Sequence, residues 1–92
     1  IDQVMCFPGT QTALFAVMAT LAGPGDEVLM GDPAYATYDG VIAAAGATPV
    51  AVPLRPENGF RIAADDIAAR VTPRSRVIFL NTPHNPTGAV LA

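Results

Sequence analysis

The residue types best suited to bind a ligand stand in three short motifs, each of which follows an apolar run. The first covers residues 8–14 and reads Pro-Gly-Thr-Gln-Thr-Ala-Leu. Free backbone N–H groups at a helix start, with the helix dipole behind them, form a natural phosphate site, and the hydroxyls of Thr10 and Thr12 can add donors. A capped helix start without a ligand explains the motif equally well. With one glycine and no lysine, it is neither a Gly-x-Gly-x-x-Gly motif nor a Walker loop.

The second motif covers residues 32–38 and contains two tyrosines. Pro33 restricts the backbone just before Tyr35, whose ring could lie flat against a planar ligand because aromatic systems stack in offset geometry. Ordinary packing explains Tyr35 equally well. Tyr38 falls on an apolar helical stripe, so we expect it in the core.

The third motif covers residues 81–88 and reads Asn-Thr-Pro-His-Asn-Pro-Thr-Gly. Pro83 and Pro86 fix their own φ and push Thr82 and Asn85 towards extended conformations. The amide of Asn85 can both donate and accept hydrogen bonds. On its own the motif is more simply a turn, since Asn, Pro and Gly are the usual turn residues. The proline that follows Asn85 excludes N-glycosylation there.

The elements that must position these motifs alternate between strands and helices. Apolar runs predict strands over residues 3–7, 28–30, 48–54 and 76–80. Helical periodicity predicts a first helix whose start Thr10 or Thr12 could cap, another over residues 35–45, and a third that starts at Asp65 and Asp66. The two adjacent carboxylates are interpreted as helix-start charges rather than as an acid–base pair.

This alternation predicts an α/β fold with a mainly parallel sheet and flanking helices. Gly23 is expected in the left-handed conformation after the first helix, and Gly46 should cap the second. Pro49 and Pro53 deny the third strand two hydrogen-bond donors, which predicts an edge strand. Ligands of open α/β sheets sit beyond the carboxyl ends of the strands, so the three motifs should share one crevice. A ligand with a phosphate and a planar polar ring would use all three.

Composition argues against several classes of partner. The net charge is −3 and no basic cluster is present, which argues against nucleic acid, because phosphate contacts need grouped Lys or Arg. No apolar run approaches the roughly 18–20 residues that span a bilayer, so we expect no membrane partner. We also expect no metal site. All five basic residues are arginines, so the chain contains no lysine.

Cysteine and charge content indicate the compartment and the extent of the protein. The single Cys6 cannot form an internal disulfide, which suggests a reducing, cytoplasmic location, and its apolar neighbours predict a buried, inert thiol. Charged residues make up 14% of the chain, well under the ~25% of ordinary soluble domains, while 51% of the chain is hydrophobic. Together with the missing initiator Met, this predicts a segment of a larger domain that continues beyond both ends.

Taken in order and spacing, the three motifs and the Gly-Asp-Glu-Val of residues 25–28 resemble the class I/II aminotransferases. These are fold-type I enzymes that depend on pyridoxal 5′-phosphate. The resemblance covers essentially the whole chain. The loop at Gly59 and Phe60 and the third motif look most like the aspartate-type branch and the arginine–pyruvate-type transaminases. The resemblance implies that residues 1–92 are part of the large cofactor-binding domain of a fold-type I transferase.

The resemblance also implies roles for five residues. Gly9, Thr10 and Gln11 match the loop that holds the cofactor phosphate. Tyr35 matches the aromatic residue that stacks on the pyridine ring. Asn85 matches the asparagine that hydrogen-bonds the 3′ oxygen of that ring.

Several parts of the family pattern are missing from this chain. The family chemistry needs a lysine that binds the cofactor covalently and moves a proton, and the chain contains none. The aspartate that pairs with the pyridine nitrogen, a tyrosine and the arginine that binds the substrate carboxylate are expected outside residues 1–92, and none of the five arginines matches these roles. His84 matches a position without chemistry, so we assign it to packing or solvent. The segment should form part of a cofactor site and hold no catalytic residue.

The resemblance implies that the whole enzyme is a homodimer that transfers an amino group between an amino acid and a 2-oxo acid. Two alternatives remain open. A carbon–sulfur lyase or a synthase on the same scaffold would share these cofactor contacts. A non-catalytic domain could also keep the fold as a binding or regulatory module, in which case the whole protein would lack the lysine.

Overall fold

Strands and helices alternate along the chain in the computed structural model, which describes residues 2–91. The elements in order are α1 (Thr10–Leu21), β1 (Glu27–Asp32), α2 (Tyr38–Ala44), β2 (Thr48–Pro53), a 3-10 turn (Pro56–Asn58), α3 (Ala64–Ala68) and β3 (Ser75–Phe79). The predicted α/β class is therefore confirmed. Within residues 2–91, no helix is long and apolar enough to cross a membrane.

The three strands form one parallel sheet in the order β2-β1-β3. The central strand β1 is covered on both faces, and the side chains of Val28 and Leu29 have no exposed surface. On the β2 side, Glu27 stands opposite Thr48, and on the β3 side it stands opposite Ser75. The predicted parallel arrangement is therefore found in both strand pairs.

The strand β2 lies at one edge of the described sheet, as its prolines predict. Pro49 stands opposite Val28, and Pro53 stands opposite Asp32. Proline has no N–H to donate, so a strand with two prolines is best tolerated where one side of it needs no donors.

The helices α1 and α2 cover one face of the sheet. Val28 and Met30 project to that face of β1, because alternate side chains of a strand point the same way. They pack in one buried cluster with residues from the helices and the loops that follow them: Met18, Ala22, Val41, Ile42 and Ala47. Leu29 points to the opposite face, on which the short helix α3 lies against β2.

Of the two glycines predicted to end helices, Gly46 has the expected positive φ and Gly23 does not. Gly46 follows α2 with a φ of 91°, as predicted for a residue that ends a helix. The prediction for Gly23 is wrong, because Ala22, the residue after α1, is extended (φ −137°) and the positive φ falls on Gly25 (87°). The carboxylate of Asp26 accepts the Gly23 N–H at 3.0 Å, and this bond fixes the turn without a left-handed residue at that position.

The start of α1 also differs from the prediction. The helix begins at Thr10, but neither threonine caps it with a side chain, and the residue at the cap position is Gly9. The hydroxyl of Thr12 instead donates to the carbonyl oxygen of Pro8 at 3.1 Å. A threonine inside a helix commonly bonds back to the carbonyl one turn earlier, which removes its hydroxyl from capping.

The strand predicted over residues 3–7 is wrong for the described chain. After a turn at residues 2–3 the backbone has no regular structure, and Val4 and Met5 are 74% and 76% exposed. Cys6 is exposed as well, so the predicted burial of its thiol is also wrong. A strand needs a neighbour that shares its ladder of hydrogen bonds, and none of the three described strands pairs with this run.

The acidic start of α3 is used for ion pairs. Asp66 Oδ1 lies 3.2 Å from Arg55 Nη2 and 4.0 Å from Arg70 Nη1. The hydrogen bond that Arg55 donates to Asp66, followed by the negative charge of Asp66, raises the pKa of the Arg55 guanidinium. Asp65 is exposed. This arrangement agrees with the interpretation of both carboxylates as helix-start charges rather than as an acid–base pair.

Candidate functional site

An open cleft of about 320 Å³ lies between α1 and the segments that follow β1 and β3. Side chains from three separate stretches of chain line it: Thr10, Gln11 and Leu14, then Tyr35, Thr37 and Tyr38, and finally Asn85. Four of the five residues identified from the sequence therefore meet in one cleft. Tyr35 and Asn85 do so because β1 and β3 are parallel neighbours, so their carboxyl ends open on the same edge of the sheet. The start of α1 brings Thr10 and Gln11 to the same cleft.

The fifth residue, Gly9, stands at the start of α1 and contributes backbone rather than a side chain. Its φ of 91° and ψ of 155° lie in a region that residues with side chains rarely adopt. The first N–H groups of an α-helix have no partner within the helix, and the first turn of α1 carries no acidic residue. The positive, N-terminal end of the α1 dipole is therefore not offset by a charge of the helix itself. This end of α1 suits an anion beside Thr10 and Gln11.

The aromatic wall of the cleft is formed by Tyr35, which is 45% exposed. Its ring makes an edge-to-face contact with Tyr38, with centroids 5.5 Å apart and planes at 66°. Tyr38 in turn meets Phe79 at 4.9 Å and 75°, and it packs against the buried cluster as predicted. The second helix begins at Tyr38 rather than at residue 35, because residues 36–37 form a turn. Tyr35 is therefore outside the helix, with nearly half of its surface open to a ligand.

Asn85 lies in the loop that follows β3. Its backbone N–H donates to Asn81 Oδ1 at 2.8 Å, which fixes the Asn85 backbone relative to the end of the strand. The Asn85 side chain is exposed, and no hydrogen bond among residues 2–91 uses its amide. The amide is therefore available to a ligand in the cleft.

Hydrogen bonds within the loop hold its shape. The His84 N–H donates to the carbonyl oxygen of Ala89 at 2.8 Å, and the Gly88 N–H donates to the carbonyl oxygen of His84 at 2.7 Å. The His84 ring nitrogen Nδ1 lies 2.7 Å from Thr87 Oγ1. His84 is half-buried, and this position agrees with its assignment to packing.

Two residues of the site were not identified from the sequence. Asn81 fixes the backbone of Asn85, and an asparagine at the start of a turn is the type of residue that accepts such a bond. Thr37 lines the cleft, and its Oγ1 is buried without a hydrogen-bond partner among residues 2–91. A threonine that precedes a helix usually accepts an N–H of the first turn, but here Asp39 Oδ1 takes the Gly40 N–H at 2.9 Å.

The donors around the cleft fit a ligand with an anionic end and a planar polar ring. The start of α1 suits the anion, the exposed ring of Tyr35 suits stacking, and the Asn85 amide suits a polar atom on the ring. The cleft volume lies within the roughly 300–1,000 Å³ of small-molecule sites. Residues 2–91 contain no group of three or more His, Cys, Asp or Glu side chains that could hold a metal ion.

Comparison with known proteins gives consistent matches over the whole chain. The sequence profile of the family described as aminotransferase class I and II matches residues 1–92. Arginine–pyruvate transaminase of Pseudomonas aeruginosa is 52% identical over 90 residues, which are 98% of this chain and 23% of that protein. A probable N-succinyldiaminopimelate aminotransferase of Mycobacterium tuberculosis is 46% identical over 91 residues, again 98% of this chain and 23% of that protein.

Solved structures give the same result. The aromatic aminotransferase from Pyrococcus horikoshii superposes on this chain with a TM-score of 0.87 at 37% identity. The superposition covers 90% of this chain and 22% of that structure. The chain thus spans less than a quarter of the length of the relatives that it matches.

Proposed function

The chain belongs to the class I and II aminotransferases, and we propose that the whole protein transfers an amino group between an amino acid and a 2-oxo acid. The observation that carries this proposal is the cleft in which Thr10, Gln11, Tyr35 and Asn85 meet. The relatives named above are aminotransferases, which favours amino-group transfer over a lyase, a synthase or a non-catalytic module.

Pyridoxal 5′-phosphate is the proposed cofactor, and the cleft offers a group for each part of it. The start of α1, with Gly9, Thr10 and Gln11, would hold the phosphate. Tyr35 would stack on the pyridine ring, and the Asn85 amide would hydrogen-bond the ring oxygen. When bound, the cofactor supplies an electron sink for chemistry at the substrate carbon. The residues of this chain bind and orient it, and they offer no lysine to move the proton.

Residues 1–92 would form part of the large cofactor-binding domain, which continues beyond both ends. In support, the chain spans 23% of the length of its curated relatives. Large apolar side chains also remain exposed at the sheet edge and before α1, including Ile78 at 49%, Leu80 at 53% and Val4 at 74%. The rest of the protein would cover them and supply the lysine, the aspartate and the substrate-binding arginine. Residues 1–92 alone should therefore be inactive.

The whole protein is proposed to be a homodimer in the cytoplasm. The dimer rests on the family resemblance alone. The location rests on the single Cys6, because an isolated cysteine without a disulfide partner is typical of proteins from reducing compartments.

The test uses the full-length protein. After incubation with pyridoxal 5′-phosphate and removal of the free cofactor, absorbance measures the cofactor that remains bound. Arginine and pyruvate form the first substrate pair to assay, since the relative with that specificity is 52% identical, followed by a panel of other amino donors. Retained cofactor together with amino-group transfer supports the proposal. Cofactor retention without transfer to any 2-oxo acid, or no retention at all, contradicts it.

A further inference from the structure

A strained turn outside the cleft reaches the loop that carries Asn85. Phe60 has a φ of 58°, which is uncommon for a bulky residue with a side chain. Its N–H donates to the carbonyl oxygen of Arg55 at 2.9 Å. The Asn58 side chain donates to the carbonyl oxygen of Arg61 at 3.2 Å, which closes the turn. Strained backbone of this kind persists only where its surroundings fix it, and it is concentrated at functional sites.

The turn contacts the last described residues of the chain, 89–91, which we call the arm. Arg61 Nε donates to the carbonyl oxygen of Val90 at 3.2 Å, across 29 positions of sequence. The Phe60 side chain lines a small apolar cavity together with Ala89 and Leu91 of the arm. The turn and the arm are therefore joined by one directed hydrogen bond, beside a cavity that both of them line.

The arm forms hydrogen bonds with two of the residues that precede Asn85. The carbonyl oxygen of Ala89 accepts the His84 N–H at 2.8 Å. The N–H of Leu91 donates to Thr82 Oγ1 at 3.1 Å. Thr82 and His84 precede Asn85 by three residues and one residue, so both hydrogen bonds of the arm fall within three residues of Asn85.

We propose that Arg61 is a positioning residue for Asn85, which it fixes through the arm so that the Asn85 amide stays directed at the bound cofactor. This inference rests on the proposed function, since it assigns Arg61 to the same site. Arg61 itself does not line the cleft, and its effect on the cofactor passes entirely through the hydrogen bonds of the arm.

The chain contains a matched control for this hydrogen bond. Arg76 Nε donates to the carbonyl oxygen of Leu21 at 3.1 Å, so donor and acceptor are of the same types and the bond is nearly the same length. Both arginines are exposed. The Arg76 bond lies at the end of α1 that is remote from the cleft, whereas the Arg61 bond adjoins the Asn85 loop. Loss of either hydrogen bond should lower the free energy of unfolding by a similar amount, but only loss of the Arg61 bond should change cofactor binding.

The experiment compares Arg61→Met with Arg76→Met in the full-length protein, because methionine keeps an unbranched stem and removes the donor. Cofactor affinity is measured by absorbance titration with pyridoxal 5′-phosphate, and the bound cofactor is then titrated with pH. We expect Arg61→Met to weaken affinity roughly threefold to tenfold, the usual effect of one hydrogen bond. It should also shift the pH midpoint in the direction in which Asn85→Ala shifts it. Arg76→Met should change neither quantity.

The outcomes separate this inference from the proposed function. If the unsubstituted protein binds no cofactor, the proposed function fails. If it binds cofactor and Arg61→Met behaves like Arg76→Met, the function stands and the positioning role of Arg61 is refuted. Should Arg61→Met not fold, Thr82→Val breaks the next link of the same path and should give the same pair of changes. An unchanged affinity and pH midpoint in Thr82→Val would then refute the inference.

Discussion

Replacing Tyr35 by Ala removes the aromatic wall of the cleft, and we expect it to weaken cofactor binding in a protein that still folds. The ring is 45% exposed, so about half of its surface is already out of the core. Within residues 2–91, the Tyr35 ring makes an edge-to-face contact with the Tyr38 ring, with the two ring centroids 5.5 Å apart. The exposed surface is therefore what a stacked cofactor would cover.

The structure sets the size of both effects. Stacking on an aromatic ring contributes about 0.5–1.5 kcal/mol beyond the area that it buries, so Tyr35→Ala should lose affinity by at least roughly 2-fold to 12-fold, and the lost contact area adds to this. The lost contact with Tyr38 and the half-buried ring surface should lower the free energy of unfolding by about 1–2 kcal/mol. This second loss is present with or without the cofactor, so it does not enter the ratio of affinities.

The assay measures the dissociation constant of pyridoxal 5′-phosphate for the full-length protein by absorbance titration. Tyr35→Phe is the matched control, because it keeps the ring and removes only the hydroxyl, and its affinity should remain that of the unsubstituted protein. Thermal unfolding of the cofactor-free proteins checks that each variant is folded at the assay temperature. An affinity in Tyr35→Ala equal to that of Tyr35→Phe would show that Tyr35 does not stack on the cofactor.

Three further substitutions test other parts of the site. Asn85→Ala should shift the pH midpoint of the bound cofactor's absorbance and leave the melting temperature unchanged, since the amide makes no hydrogen bond among residues 2–91; an unaltered midpoint would count against its role. Thr37→Val removes a buried hydroxyl without a partner and should raise the free energy of unfolding by about 1 kcal/mol in a denaturant titration, whereas a loss of stability would mean that the hydroxyl is bonded in the whole protein. Gly9→Ala should lower the free energy of unfolding by about 1–3 kcal/mol in the same denaturant titration, because alanine rarely adopts a φ of 91°. Backbone strain alone causes this loss, since a Cβ at Gly9 meets nothing within 4 Å. Gly23→Ala, equally open but without a left-handed φ, is its control and should cost much less.

The parts of the fold that could be predicted depend on short-range patterns. The apolar run of β1 and the prolines of β2 determine where these strands lie, and Gly46 ends α2 where a residue with positive φ is required. The meeting of the second and third motifs was also predictable, because neighbouring parallel strands place their carboxyl ends on one edge. These inferences need only the periodicity of the chain and the geometry of a parallel sheet.

The features that could not be predicted depend on competition between nearby hydrogen-bonding groups or on partners far away in the sequence. Asp39 takes the Gly40 N–H, and this choice leaves the Thr37 hydroxyl without a partner. The bond between Arg61 and Val90 joins residues 29 positions apart, and no local pattern marks it. Whether residues 3–7 form a strand depends on a neighbouring strand, which an apolar pattern alone does not reveal.

The residues that line the cleft from three stretches of chain rest on one patch of core, which fixes their relative positions. Tyr35 leans on Tyr38, and Tyr38 leans on Phe79 at the end of β3, just before the loop that carries Asn85. Leu14 of α1 lines a small apolar cavity together with Tyr38 and Phe79, so α1 also lies beside these two rings. Two edge-to-face contacts thus connect Tyr35 to the end of β3, just before the Asn85 loop, and α1 lies beside the rings of Tyr38 and Phe79. Because these contacts form within the chain itself, the walls are ordered when the chain folds, and binding of the proposed cofactor need not supply the free energy to order them.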